Sequence, residues 1–316
     1  MSNLPWVEKY RPDKLDKILS QNHVIDTLKN LMKRNTLPHM IFYGPAGTGK
    51  TSSIVACGKE IYGENYQFMV LELNSSDDRG INTVREKIKD FASSSQLFGK
   101  GTLLVILDEA DSMTYDAQFA LRRIIEKYTY NVRFCLICNY ISKIIDAIKS
   151  RCVLFRFEPL KHEIMVNKIK EICRTEKIRV NTKGINAIVK HSRGDMRTSI
   201  NLLQSVYLAK NTISEKCIYS FSGHPNPKFC KRLIKNFTIS KSTTFQKNLD
   251  LIKKVIDDGC CLIELVKSLG NEIMENDISD DLKIKLIKRL GDIENKLSIT
   301  NNEQIYVYEL ATLHRC

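Results

Sequence analysis

Five short apolar runs mark the first half of the chain: HMIFY (39–43), FMVLEL (68–73), TLLVIL (102–107), RFCLIC (133–138) and VLFRF (153–157). Most are nearly continuous rather than alternating, the pattern of strands covered on both faces. Between them, apolar residues recur at helical spacing. In YDAQFALRRIIEKY, Ala117, Leu121, Ile124, Ile125 and Tyr128 fall on one face, and in INTVREKIKDF so do Ile81, Val84, Ile88 and Phe91. Strand and helix in alternation predict an α/β domain with a parallel sheet and helices on both faces.

Past EPL (158–160) the strand-like runs stop. EIMVNKIKEICRTEKI reads as an amphipathic helix through Ile164, the stem of Lys168, Ile169 and Ile172, and helical patterns continue to about residue 222. SGHPNPKF (222–229) carries the Gly and Pro signals of a boundary. The remainder, with DLIKKVIDDGCCLIELVKSLGNEIM and DDLKIKLIKRLGDIENKL, is again helical. The expected layout is an α/β domain over 1–160, a small helical domain over 161–222 and a helical C-terminal domain over 223–316, with no tandem repeat.

Composition narrows the class. An apolar content of 43% and a charged content of 27% over 316 residues are those of a globular protein with room for two or three cores. No apolar run approaches the roughly 20 residues of a membrane span, and MSNLPWVEKYRP lacks the apolar stretch of a signal peptide. No membrane partner is expected. The formal charge of +13 leaves two readings open, solubility alone or a polyanionic partner. Among the ten cysteines, Cys135 and Cys138 have a CxxC spacing. On a strand, residues three apart face opposite ways, so the pair reads as buried small hydrophobes rather than a metal or redox site.

The chemistry concentrates in three places. GPAGTGKT (44–51) follows the MIFY strand and precedes a helix-compatible run, the setting of a phosphate-binding loop. Its glycines let backbone N–H groups curl round phosphates, and the following helix N-terminus favours negative charge. Lys50 is placed to neutralise β- and γ-phosphate charge, and Thr51 to ligate Mg²⁺. LLVILDEAD (103–111) supplies a carboxylate at a strand end: Asp108 for the metal, Glu109 to polarise an attacking water. A carboxylate there favours hydrolysis over transfer to a small molecule. DEAD-box helicases share the DEAD string, but their further motifs are missing. Asn139, after RFCLIC, either holds the water or γ-phosphate, or is a turn-forming residue.

Together these residues resemble an AAA+ ATPase, and more narrowly the small subunits of replication factor C, a clamp loader. WVEKYRP (6–12) is similar to that family's N-terminal box, NSSDDRGI (74–81) to its turn into a DNA-facing helix, SRC (150–152) to its named motif and GDMR (194–197) to its second sensor. The resemblance covers about residues 4–222; the rest carries no motif and is assigned by position. It implies an AAA+ P-loop domain with a five-stranded parallel sheet, a helical lid and an all-helical collar that oligomerises. It also implies ATP and Mg²⁺ as cofactors, an ATPase that depends on assembly, and a nuclear location. The implied partners are the other subunits of a hetero-pentamer, a sliding clamp and primer–template DNA. Val7, Tyr10 and Arg11 would line the adenine and ribose pocket, and Gly44, Pro45, Ala46, Gly47, Thr48, Gly49, Lys50, Thr51 and Ser52 the phosphate side. Asn139 would be the first sensor, Arg197 the second, and Arg151 an arginine finger acting in trans on a neighbour's ATP. Two departures, Ala46 for the usual second proline and Ser20–Gln21 for the usual GQ, remove no phosphate or metal ligand.

By the same resemblance the helix after DDRG faces DNA. Arg79 opens it, and Arg85 and Lys89, four apart, share a face suited to tracking phosphates. Glu86 and Asp90 beside them keep an ordinary solvated face open. Gln96, Leu97 and Phe98 are either a clamp contact or part of the domain core. The expected function is a clamp-loader ATPase in which ATP binding orders the ring and hydrolysis releases the clamp. An initiator or branch-migration AAA+ ATPase is the nearest alternative, but no winged-helix pattern appears in the C-terminal segment. A P-loop kinase would need no Arg151 finger, and a scaffold that binds ATP without cleaving it would be indifferent to Glu109→Gln.

Overall fold

A computed structural model of the chain describes residues 4–75, 81–94, 102–209, 212–238, 244–300 and 303–315. It divides into two compact units, Met1–Glu176 with Val189–Asn201, and Lys177–Ile188 with Leu202–Cys316.

The apolar runs form five parallel strands: β1 (Met40–Tyr43), β2 (Val70–Asn74), β3 (Leu103–Asp108), β4 (Val132–Cys138) and β5 (Val153–Arg156), in the order β2-β3-β4-β1-β5. The first unit adds helices α1 (Trp6–Lys9), α2 (Asn22–Lys33), α3 (Lys50–Tyr62), α4 (Tyr66–Met69), α5 (Ile81–Ser94), α6 (Tyr115–Tyr128), α7 (Asp146–Lys149) and α8 (His162–Thr175). Alternation along the strands feeds two cores, one on each face. Ile41, Val105, Leu107 and Leu136 pack with Ile88 of α5 and Leu121 and Ile125 of α6. Met40, Phe42, Leu104, Ile106 and Ile137 pack with Val24 and Leu28 of α2 and Ile54 of α3. Cys135 and Cys138 go to different cores, as their strand spacing requires.

Two strands differ from expectation. β5 lies at the sheet edge, with Val153 44% and Leu154 45% exposed on opposite faces and Phe155 buried, so its apolar run is only partly covered. Phe68 and Met69 close α4, and β2 starts at Val70. Thr114 caps α6, its hydroxyl accepting the Ala117 N–H at 3.3 Å, which fixes where the helix begins.

The second unit holds a small parallel pair, β6 (Arg179–Val180) with β7 (Thr212–Ile213), too short to register as a period in the sequence. The remaining helices are α9 (Thr182–Ser192), α10 (Met196–Ala209), α11 (Glu215–Ser222), α12 (Pro227–Phe237), α13 (Thr244–Asp257), α14 (Leu262–Glu275), α15 (Asp280–Ile299) and α16 (Glu303–Ala311). At 222–229 the glycine and proline separate two helices inside the second unit, which runs on through Leu202–Cys316. Gly223 ends α11 at φ 67°, Asn226 caps α12 and Pro227 opens it. Leu233, Leu265, Leu269, Leu286 and Leu310 form the core of the C-terminal helices. No helix among the described residues is long and apolar enough to cross a membrane.

Candidate nucleotide-binding site

The strand order decides where chemistry gathers. β3, β4 and β1 are successive neighbours, so the segments leaving their C-terminal ends lie side by side, where open α/β sheets hold ligands. The loop 44–49 leaves β1, Asp108 ends β3, and Asn139 follows β4. They border a cavity of about 400 Å³.

Lys50, the first residue of α3, is 7% exposed. Its ammonium donates to Gly44 O at 2.7 Å, Pro45 O at 2.8 Å and Asn139 Oδ1 at 3.0 Å. Burial pushes it below the ordinary lysine range, while the charge of Asp108 acts against that shift. The Thr51 hydroxyl donates to Asp108 Oδ2 at 2.8 Å, and Asp108 Oδ1 accepts the Glu109 N–H at 2.8 Å. A hydroxyl and a carboxylate oxygen at this spacing are the hard donors that suit Mg²⁺. Gly47 and Gly49 take φ of 64° and 96°, a curl suited to phosphate oxygens. The residues present therefore fit a nucleoside triphosphate and its metal ion.

Glu109 borders the cavity with φ 54° and ψ 38°, a left-handed conformation that costs a non-glycine residue on the order of 1–3 kcal/mol. Such strain collects at functional sites, and Glu109 borders the same cavity as Asp108. Asp111, assigned no role from the sequence, accepts the N–H groups of both Asn139 and Tyr140 at 3.2 Å. It fixes the turn that presents the Asn139 amide to Lys50.

The other walls come from both ends of the first unit. Val7, Tyr10, Arg11, Ala46, Gly47, Thr48, Gly49, Thr51, Ser52 and Arg197 all line the cavity. Gly44 and Pro45 do not; they act through the carbonyls that hold Lys50. The Tyr10 hydroxyl donates to Glu176 Oε1 at 2.5 Å, and Lys9 pairs with the same oxygen at 2.5 Å. Burial, then Glu176, raises the Tyr10 hydroxyl above its ordinary range. Met196 N–H donates to Gly47 O at 3.2 Å, which ties the start of α10 to the phosphate loop and carries Arg197 to the cavity. Ile18, Leu160, Met196 and Ile200 supply an apolar wall that sequence reading missed. The spacing of Met196 and Ile200, four apart with Arg197 between, was the available signal.

Arg151 stands apart from the cavity. It follows α7, its side chain 37% exposed and its guanidinium paired with Glu126 of α6 at 2.6 Å. Lys89 is exposed on α5. Arg79, the side chain of Arg85, and Gln96, Leu97 and Phe98 lie outside the described residues.

Comparisons with known proteins agree with this geometry. The family model described as "ATPase family associated with various cellular activities (AAA)" matches residues 40–160. "RCF1/5-like, AAA+ ATPase lid domain" matches 167–208, and "Replication factor C C-terminal domain" matches 225–312. The last covers the segment that carried no motif. Human replication factor C subunit 5 is 43% identical over 309 residues, spanning 98% of this chain and 90% of its own length. Replication factor C subunit 3 of Saccharomyces cerevisiae is 44% identical over 309 residues, 96% of this chain and 90% of its own. The probable subunit 5 of Dictyostelium discoideum is 45% identical over 313 residues, 98% and 89%. At that identity over nearly the whole length, the chain belongs to the replication factor C family of AAA+ ATPase subunits.

Proposed function

We propose that this chain binds ATP with Mg²⁺ between its N-terminal box, phosphate loop and second sensor, and hydrolyses it in a ring of non-identical subunits. Replication factor C is a clamp loader, and the chain is one of its ATPase subunits. The observation that carries the site is the continuous contact Asn139–Lys50 and Thr51–Asp108 at the ends of three adjacent strands.

The roles follow from that arrangement. Lys50 and the loop N–H groups hold the phosphates; Thr51 and Asp108 hold the metal ion, which when bound draws charge from the phosphate oxygens. Glu109 polarises the attacking water, and Asn139 and Arg197 contact the terminal phosphate. Val7, Tyr10 and Arg11, with the apolar wall of Ile18, Met196 and Ile200, receive the adenosine. Arg151 serves the ATP of the next subunit, a contribution of about 10³–10⁵-fold in related NTPases. Arg79, Arg85 and Lys89 face primer–template DNA, and Gln96–Phe98 meet the sliding clamp. Residues 1–160, 161–222 and 223–316 act as nucleotide-binding domain, lid and collar, a division supported by the three matched segments. The site of action is the nucleus.

The test is co-purification with candidate partner subunits, then clamp- and DNA-stimulated ATPase for wild type and Arg151→Ala. The expected result is lost stimulation with normal ATP binding by this chain. Full stimulation in Arg151→Ala would overturn the trans role, and full turnover by the isolated chain would overturn the dependence on assembly.

A further inference from the structure

The Arg151 guanidinium is held from two sides. Its Nη1 donates to Ala147 O at 2.7 Å and to Ser150 Oγ at 3.3 Å, both within its own turn. Its Nη2 lies 2.6 Å from Glu126 Oε1, on a different element. Glu126 stands near the end of α6, and the same oxygen accepts Arg122 Nε at 3.2 Å from one helical turn earlier. The order is therefore Arg122–Glu126–Arg151, one carboxylate oxygen between two guanidinium groups. Nε of Arg151 has no partner among the described residues.

This arrangement is poor as a stability device. The Arg151 and Glu126 side chains are 37% and 40% exposed, and exposed pairs contribute little to folding. As an orienting device it suits an arginine well. A long side chain that must meet an acceptor outside its own chain gives up rotamer freedom when it does so, and a residue that has already fixed it lowers that cost. Ala147 O and Ser150 Oγ fix one end of the planar group, and Glu126 sets its azimuth, leaving the Nε edge open to an outside acceptor. Arg122, four residues earlier on the same helix, holds the carboxylate in turn.

We propose that Glu126 is a positioning residue for Arg151, ordering its guanidinium for the phosphates of a nucleotide bound to the adjoining subunit. This rests on the reading of Arg151 as a finger acting in trans. Glu126 touches neither nucleotide nor reacting atoms; its effect passes through Arg151 alone.

The experiment is a double-mutant cycle in the reconstituted complex, with wild type, Glu126→Ala, Arg151→Ala and the double variant. The first readout is ring association driven by a non-hydrolysable ATP analogue, followed by sedimentation. The second is clamp- and DNA-stimulated ATPase. Glu126→Ala is expected to lower both by about threefold to tenfold, the cost of ordering one long side chain, and to add nothing further in the Arg151→Ala background. Equal losses in both backgrounds would make Glu126 a merely structural residue and overturn the proposal. A gain of association or turnover in Glu126→Ala would make the pair a restraining latch, also against it. If Arg151→Ala alone changes neither readout, the trans reading itself fails and this inference fails with it, an outcome distinct from the other two. A Glu126→Gln variant, of the same shape and without charge, guards against misfolding; the same non-additivity is expected of it, with a smaller loss.

Discussion

Gly47 stands directly against Asp195: a β-carbon added to Gly47 would lie 1.6 Å from Asp195 Oδ1. The two segments are also tied by Met196 N–H on Gly47 O at 3.2 Å. Asp195 in turn holds the start of α10, its Oδ1 accepting the Thr198 N–H at 3.1 Å and its Oδ2 the Thr198 hydroxyl at 3.0 Å. The phosphate loop and the helix that carries Arg197 are thus fitted to each other. Gly47→Ala should displace Asp195 and strain a residue at φ 64°, lowering ATP affinity by about tenfold or more. Titration with a fluorescent ATP analogue reads this directly. Adding Asp195→Ala should recover part of the loss, because the clashing carboxylate is gone. Wild-type affinity in Gly47→Ala would show that the close approach has no bearing on binding.

Glu109 combines strain with proposed chemistry, so two substitutions separate the two. Glu109→Gln keeps the backbone and removes the base. Stimulated turnover should fall by about 10²–10⁴-fold with ATP binding unchanged. Glu109→Gly should lose turnover as well, yet raise the thermal midpoint, since glycine relieves a left-handed backbone at φ 54° worth on the order of 1 kcal/mol. Undiminished turnover in Glu109→Gln would remove this carboxylate from the mechanism.

What the sequence made legible and what it hid divide along physical lines. β1, β3 and β4 were readable because strands buried on both faces must be apolar throughout, and the phosphate loop was readable because its spacing is set by local backbone geometry. The exposure of Val153 and Leu154 on β5 was hidden, since an apolar run carries no mark of what covers it. Ile18, Met196 and Ile200 look like any core residue until the cavity is seen. Asp111, Glu126 and Glu176 were missed for another reason. Asp111 and Glu126 act on residues 25 to 29 positions away, and Glu176 on Tyr10, 166 positions away. Charge alone gives a carboxylate no address. Arg151 was singled out by its motif, but its partner on α6 required the fold.

Gln118 shows how a buried polar group holds neighbouring segments in place. It is 2% exposed, its amide donates to Lys143 O at 2.9 Å and Met113 O at 3.3 Å, and its oxygen accepts the Ile145 N–H at 2.9 Å. It thereby fastens α6 to the turn that leads into α7 and Arg151. Gln118→Leu preserves approximate volume but leaves those backbone groups without their partner, at a cost of about 2–4 kcal/mol. Urea unfolding should show the loss. A change below about 0.5 kcal/mol, the range of ordinary surface substitutions, would mean that water replaces the amide freely.

His39, the residue before β1, gives the fold a dependence on acid. It is 8% exposed; its Nδ1 accepts the Phe134 N–H at 3.2 Å and its Nε2 faces Thr129 Oγ1 at 3.4 Å. Thr129 spends its own hydrogen on Ile125 O, so the ring sits neutral, with its proton on Nε2. A second proton would go to Nδ1 and break the bond to Phe134. Burial, helped by Arg133, pushes the ring down to about 4 from an ordinary 6.5. Because the folded value is depressed, the unfolded chain takes up the proton first. The contribution to stability is therefore complete above about pH 6.5, falls as pH drops, and levels off below about pH 4. The slope in that window is about 1.4 kcal/mol per pH unit, for a total of about 3 kcal/mol. His39→Gln removes the titration while keeping a polar side chain. It should cost stability at pH 7.5, yet flatten the decline between pH 6.5 and 4 relative to wild type, measured by urea unfolding across that range. Parallel stability profiles for the two proteins would show that His39 takes up its proton as readily in the fold as out of it.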